Sequence, residues 1–281
     1  MAEIYKNPGA LSDGILEEEE ARGRTKNNPY PNAFYVDEKG ERFDFTHPRM
    51  VRAYDETNKR ANLGHVLRGV DKRTPERKAQ GDAWVRDLTE KQRAEFNPQK
   101  DRTIHFIYGN GGVGKSTFIR ENNLQKLNPS FLIDSDEFVE KYIPETSNQA
   151  DPERAFNTAM VHDESTLLRD QMYKPLLEEG YNFINPTVKP KLDVLRDLKK
   201  RGYKIKGTFL DSTRDTALSR GIKRFITDGG RYVPPEAYKA DGEIMQAWED
   251  AIKEGLFDEW EEYDANSPDY KKVLRRSSKT K

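Results

Sequence analysis

Gly109-Asn110-Gly111-Gly112-Val113-Gly114-Lys115-Ser116 is the stretch on which the fold turns. It reads G-x-x-x-x-G-K-S. The β-rich run Thr103-Ile104-His105-Phe106-Ile107-Tyr108 comes directly before it, and helical sequence from Lys115 to Leu127 comes after it. A strand that ends in such a loop and continues as a helix is the setting in which this pattern binds phosphate. The glycines let the backbone curl so that successive N–H groups face an anion. A helix that starts there adds the positive end of its dipole. Lys115 brings a point charge to the β- and γ-phosphates, and Ser116 offers an oxygen to Mg²⁺. Gly109, Asn110, Gly111, Gly112, Val113, Gly114, Lys115, Ser116 and Thr117 are the expected nucleotide-binding residues, with ATP and Mg²⁺ as cofactors. The bland alternative is a glycine-rich turn that binds nothing; the flanking strand and helix argue against it.

Outward from the loop, strand and helix alternate. Phe131-Leu132-Ile133 reads as a strand. Residues 151–179 read as a long helix, with Asp151 as cap, Pro152 in the first turn and an apolar stripe through Leu168, Met172 and Leu176. Tyr181–Ile184 is the next strand. A helix marked by Leu192, Leu195 and Leu198 closes at Lys199-Lys200-Arg201-Gly202, basic residues and glycine suiting a C-terminus. Ile205 to Leu210 follow as a strand, then helices over Thr213–Asp228 and Pro235–Gly255. Strands at Trp260–Tyr263 and Val273–Leu274 end the pattern. Such alternation predicts an α/β fold of P-loop kinase-like type, its mainly parallel sheet flanked by helices. Residues 1–100 read as a polar, partly ordered accessory extension. They hold an acidic run at Glu17–Glu20, a short hairpin near 34–45 and an amphipathic helix over 75–95. The expected organisation is thus 1–100, a kinase domain at 101–275 and a basic tail at 276–281.

Composition narrows the function. The 281 residues include 48 Lys and Arg against 49 Asp and Glu, a net charge of −1, which argues against wholesale nucleic-acid binding. There is no cysteine, hence no disulfide, thiolate metal site or cysteine nucleophile. No stretch approaches the ~20 apolar residues of a membrane helix, and no secretory signal is visible, so a cytoplasmic protein is expected. The four histidines, at 47, 65, 105 and 162, lack metal-ligand spacing, and His105 reads as a core residue.

Guanine-specific Asn-Lys-x-Asp and the apolar strand ending in Asp-Glu of motor ATPases are both missing, which leaves the small kinases. Asp134 and Asp136 follow the second strand, on the side where open α/β sheets bind ligands. One carboxylate there suits a base for an acceptor hydroxyl, the other an ordering contact to Mg²⁺ through water; alternatively both cap the next helix. Arg220 and Arg224 share a helix face, and Arg231 follows Gly229-Gly230 in Gly-Gly-Arg-Tyr-Val-Pro, as in a mobile lid. Here the alternative is a solvated basic face.

Taken together, the loop at 109–116, Asp134-Ser135-Asp136-Glu137-Phe138, the strand Asn182–Ile184, Arg224 and Arg231-Tyr232-Val233-Pro234 resemble the zeta toxin family of bacterial kinases. The ending, with Gly255-Leu256-Phe257-Asp258 and a turn near Asn266, is similar as well. The resemblance covers roughly residues 100–275. It implies transfer of phosphate from ATP, with Mg²⁺, to a sugar hydroxyl of UDP-N-acetylglucosamine, or in related effectors to a ribose hydroxyl of NAD. It also implies Asp136 as catalytic base, Lys115 and Ser116 at phosphate and Mg²⁺, and Arg224 and Arg231 on the ATP phosphates. An antitoxin or chaperone partner belongs with such a reading. One departure stands out. The family's third strand typically ends Glu-Gly-Thr-x-Arg, whereas here Asn185-Pro186-Thr187-Val188-Lys189 occupies the place. An amide cannot act as a base, and a lysine lacks arginine's planar fork. Asn185, Thr187, Lys189, Asp134 and Arg220 are the candidate acceptor-binding residues. Asn185 alternatively serves only as a turn residue before Pro186.

Two other classes remain beside this one. A polynucleotide 5′-hydroxyl kinase would use the basic stretch from Lys271 to Lys281, which lacks interleaved aromatics. A nucleotide-binding partner protein, impaired at Asn185, would act through its N-terminal region.

Overall fold

A computed structural model of the protein describes residues 34–36, 42–44, 51, 54, 66–67, 70–71, 73–146, 157–227, 232–240, 242–267 and 271–278. In chain order the elements are β1 (Phe34–Val36), β2 (Arg42–Asp44), β3 (Val66–Leu67), β4 (Val70–Asp71), α1 (Pro75–Phe96), β5 (Thr103–Tyr108), α2 (Lys115–Glu121), α3 (Leu124–Leu127), β6 (Phe131–Leu132), α4 (Asp136–Lys141), α5 (Asn157–Glu178), β7 (Phe183–Thr187), α6 (Leu192–Lys200), β8 (Lys204–Asp211), α7 (Arg214–Thr227), α8 (Glu243–Lys253), β9 (Glu259–Asp264) and β10 (Val273–Ser277). They divide into two compact units. One comprises Gln80–Asp134, Leu168–Leu218 and Tyr238–Lys281; the other comprises Met1–Ala79, Ser135–Leu167 and Ser219–Ala237.

The first unit is built on a six-stranded sheet of order β10-β9-β8-β5-β7-β6. All neighbours are parallel except β10, which runs antiparallel to β9. This is the expected α/β sheet. The strands β6, β7, β5 and β8 therefore end on one side, where β5 runs into the loop and Asp134, Thr187 and Asp211 stand at the other strand ends. The core beneath the loop consists of Ile107, Val113, Phe118, Ile119, Ile184 and Leu210, all buried. Trp248 is wholly buried among Tyr108, Phe209, Phe257 and Trp260, so it packs the core. His105 Nε2 pairs with Thr208 Oγ1 at 2.8 Å, and burial, helped by Lys206, drops its pKa to about 4.

Several element boundaries differ from the sequence reading, each for a local reason. The helix expected from Lys115 to Leu127 breaks into α2 and α3, because Asn123 adopts a left-handed φ of 48°. The helix expected over Pro235–Gly255 is a short 3₁₀ turn at Pro235–Ala237 followed by α8, with Gly242 at φ 85° as its left-handed N-cap. Asn185 is not a turn residue: β7 runs on through Asn185-Pro186-Thr187, in register with Phe106-Ile107-Tyr108 of β5. Pro186 is tolerated there because β6 pairs only with Phe183 and Ile184. Ile184 O accepts from Ile133 N on that side, so the donor that proline lacks falls two residues on, past the end of β6. The expected cap at Asp151-Pro152 lies outside the described residues. The hairpin near 34–45 forms, as β1 pairs antiparallel with β2.

Helix α1 realises the amphipathic segment at 75–95, with Leu88 buried. Its Gln92 side chain donates to Leu132 O at 3.1 Å and accepts from Leu132 N at 2.7 Å. Those two bonds satisfy the outer backbone of β6, which would otherwise be an open sheet edge. At the opposite edge the basic stretch from Lys271 supplies β10. Arg276 bonds there to Glu262 and Glu249 and lies over the Trp260 ring, while Trp248 Nε1 also donates to Glu262. Among the described residues no helix is long and apolar enough to cross a membrane.

In the second unit, Glu164 of α5 has a fully buried carboxylate. Arg77 of α1 holds it through Nε and Nη2, both at 2.8 Å, and Arg73 Nη1 lies 4.0 Å away. Residue spacing offered no sign of this ion pair, since its partners are 87 residues apart.

Candidate functional site: a phosphate loop and its adjoining cleft

The loop closes the way its glycines require. Gly109 has φ 145°, and a Cβ there would come within 2.8 Å of Leu210 O and 2.9 Å of Val113 Cγ1. Gly114 has φ 91°, a conformation that side chains rarely adopt. Lys115 Nζ donates to Gly109 O at 2.8 Å and to Asn110 O at 2.9 Å, so the ammonium is held inside its own loop. Ser116 is exposed at the start of α2, and Val113 is anchored in the core.

Asn110 has a role that its place in the motif did not announce. Its side-chain amide donates to Lys239 O at 3.2 Å, and its side-chain oxygen accepts from Lys239 N at 2.9 Å. The residue is 3% exposed. Its side chain thus ties the loop to the segment at 238–239, and only its backbone remains for a phosphate. Arg214 Nε donates to Tyr238 O at 3.1 Å, and the Tyr238 ring lies over Gly111. Expected phosphate ligands therefore sort into Lys115, Ser116 and backbone groups on one hand, and structural tethers on the other.

Beside the loop lies a cleft of about 330 Å³. Its polar rim includes Asp211, Thr213, Asn266 and Arg275, and its apolar wall includes Ile244 and Met245. Arg275 pairs with Asp211 and, at 2.9 Å, with Asp264. Burial raises the Asp211 pKa, against the pull of Arg275, whereas the Asn266 backbone N–H holds the Asp264 carboxyl below its ordinary value. Asn266 Oδ1 also accepts from Thr213 N at 2.8 Å, joining the turn after β9 to the start of α7. Sequence reading noticed the Asn266 turn but not the cleft, because its walls come from five separate segments.

Of the expected acceptor residues, Asp134 lies two residues past β6, Asn185 lies within β7 and Thr187 ends it. Lys189 Nζ is engaged with Glu243 Oε1 at 2.7 Å near the surface. In the second unit, Asp136 is the first residue of α4, and Ser135 occupies the cap position without a side-chain cap bond. Glu140 follows four residues after Asp136, on the same helix face. Arg224 Nη2, from α7, reaches Glu140 Oε1 at 3.3 Å, on the face of α4 that also carries Asp136. Arg220, four residues before Arg224 on α7, is nearly buried. Arg231 lies outside the described residues. Among the described residues no group of three or more His, Asp and Glu side chains is gathered for a metal.

The Zeta toxin family model matches residues 86–266, well over half of the chain, and the chain belongs to that family. The family's members are kinases. No curated protein matches the chain. Among solved structures, one similar fold is that of the PezAT chromosomal toxin–antitoxin system of Streptococcus pneumoniae. The TM-score is 0.55 at 14% identity, over 72% of this chain and 83% of that one. Another is the AvrRxo1-ORF1:-ORF2 complex with ATP, with a TM-score of 0.53 at 17% identity, over 82% of this chain and 71% of that one. The same complex with sulphate ions gives 0.53 at 16% identity, over 87% and 75%.

Proposed function

We propose that the protein is an ATP- and Mg²⁺-dependent phosphotransferase. It phosphorylates a hydroxyl of a nucleotide-containing small molecule, UDP-N-acetylglucosamine foremost, and acts as a toxin or effector in the cytosol of the producing cell or of a host. The observation that carries this reading is the phosphate loop, with Lys115 held inside it, next to a cleft large enough for a nucleoside. The residues fit Mg²⁺, a hard cation that takes oxygen ligands: Ser116, exposed, stands at the start of α2, and Asp134 follows β6 on the same side of the sheet. Bound there with ATP, Mg²⁺ neutralises charge on the phosphates.

The chain's own residues divide the remaining work. Backbone N–H groups of the loop and Lys115 hold the β- and γ-phosphates, and the cleft with Thr213 and Asn266 seats the nucleoside. Asp136 accepts the proton of the acceptor hydroxyl as its oxygen attacks the γ-phosphorus and the bond to ADP breaks. Arg224 and Arg231 stabilise charge on the transferring group. Asp134, Asn185, Thr187, Lys189 and Arg220 bind the acceptor. Asn185 favours a second reading, in which the acceptor is a ribose hydroxyl of NAD, because the amide stands where the family's typical acid would be. The PezAT system and the AvrRxo1 structures are complexes with a second protein, which supports an antitoxin or chaperone partner here.

The deciding experiment incubates the full chain with ATP, Mg²⁺ and, separately, UDP-N-acetylglucosamine, NAD or a 5′-hydroxyl oligonucleotide. Mass spectrometry then reads the products. A phosphorylated nucleotide sugar is expected. A labelled oligonucleotide end, or ATP binding with no turnover on any acceptor, would replace this reading.

A further inference from the structure

We propose that Lys272 is a second phosphate-binding cation of the nucleotide site, an inference that rests on the nucleotide reading above. Lys272 directly precedes β10, in the basic stretch from Lys271 to Lys281. Its Nζ lies 3.1 Å, and its Cε 3.4 Å, from the point that a Cβ on Gly114 would occupy. Thr117 Cβ is 4.0 Å from that same point. The ammonium therefore rests on the glycine just before Lys115, at the junction of loop and α2.

The placement is built, not incidental. Arg275 is held by Asp211 and Asp264, and Arg276 by Glu262 and Glu249. On the near side of a register shift between Leu274 and Arg276, β10 pairs as Val273↔Asp264 and Leu274↔Tyr263, which places residue 272 beside the loop. Two ammonium groups now serve one eight-residue loop. Lys115 is bonded to its first two carbonyls, while Lys272 stands at Gly114, near its far end. Two cations beside converging backbone N–H groups suit an anion with several charges. A polyphosphate chain matches that demand; a single carboxylate or an uncharged nucleoside does not. The same segment places Arg275 on the rim of the cleft, so β10 contributes to both the phosphate and the nucleoside parts of the site.

The test measures affinities of the full chain for ATP and for adenosine by calorimetry, direct or by displacement. It compares wild type, Lys272→Ala, Lys272→Arg and, as reference, Lys115→Ala. Lys272→Ala should weaken ATP about 10-fold, leave adenosine and the ligand-free melting temperature unchanged, and be largely rescued by Lys272→Arg. Loss of ATP and adenosine affinity in equal measure would mark a structural role and overturn the proposal. ATP affinity that falls in Lys115→Ala but stays within twofold in Lys272→Ala would overturn the second cation alone. A wild-type protein that binds no ATP would overturn both this proposal and the nucleotide reading.

Discussion

Around the phosphate loop, contacts from distant segments and from the loop itself converge to hold the backbone. Asn110 grips Lys239, Arg214 grips Tyr238, Val113 sinks into the core, and Lys115 folds back on Gly109 and Asn110. Around Asp136 the means are different. The unit that carries it relies on charged pairs: Arg224 with Glu140 at the surface, and Arg77 with the buried Glu164. The contrast follows from the chemistry proposed for each. A loop that binds phosphate through backbone N–H groups must keep its shape before the ligand arrives, so that little is lost on binding. Arginines that stabilise a transferring phosphoryl group are more useful on long, half-exposed side chains that exchange partners.

The sharpest way to break this comparison is to disable each part in turn. Asp136→Asn should reduce turnover at least 100-fold while leaving the ATP dissociation constant within about twofold; Lys115→Ala should damage both. Undiminished product formation in Asp136→Asn would remove the base assignment. The next largest effect concerns stability. Arg77→Ala leaves the Glu164 carboxylate buried with its main partner gone and should cost about 3 kcal/mol in urea unfolding. A loss below about 1 kcal/mol would mean that the carboxylate finds compensation nearby.

His105 probes the sheet of the loop-bearing unit. Its folded pKa, about 4, lies below the 6.5 of the free side chain, so the unfolded chain binds the proton more tightly. The stability that neutral His105 contributes is present in full above pH 6.5 and fades as the pH falls toward 4. Unfolding at pH 4.5 and pH 7 should differ by about 2–3 kcal/mol from this group, and His105→Asn should remove that share of the difference. The smallest effect is expected for Asn110→Ala. It strips two hydrogen bonds from the Lys239 backbone and should cost about 1–2 kcal/mol, with ATP affinity falling a fewfold. An unchanged ATP affinity would show that the loop holds its shape without the tether.

Much of this was readable from local pattern. The loop motif between a β-rich run and a helix, the alternation of strand and helix, and Asp134 and Asp136 after the second strand all depend on neighbours in sequence. The misread features depend on partners that are not. Asn185 before a proline left a turn open as an alternative, yet the strand continues there because its neighbour β6 stops after two residues. Asn110 reads as a phosphate ligand within the motif, yet its side chain serves Lys239, 129 residues away. The strand expected at Val273–Leu274 runs on to Ser277, into the basic tail expected from residue 276, because Arg275 and Arg276 find carboxylates on β8, β9 and α8.

By itself, then, the sequence determined the loop, the α/β alternation and the side of the sheet where Asp134 falls, because backbone sterics and hydrophobic period act over a few residues. Tertiary structure alone decided which cations reach the loop, which walls enclose the cleft and which carboxylates are buried with a partner. Those outcomes depend on strand order and register, which bring Lys272 to Gly114 and Arg77 to Glu164 across distances in the chain that no local pattern encodes.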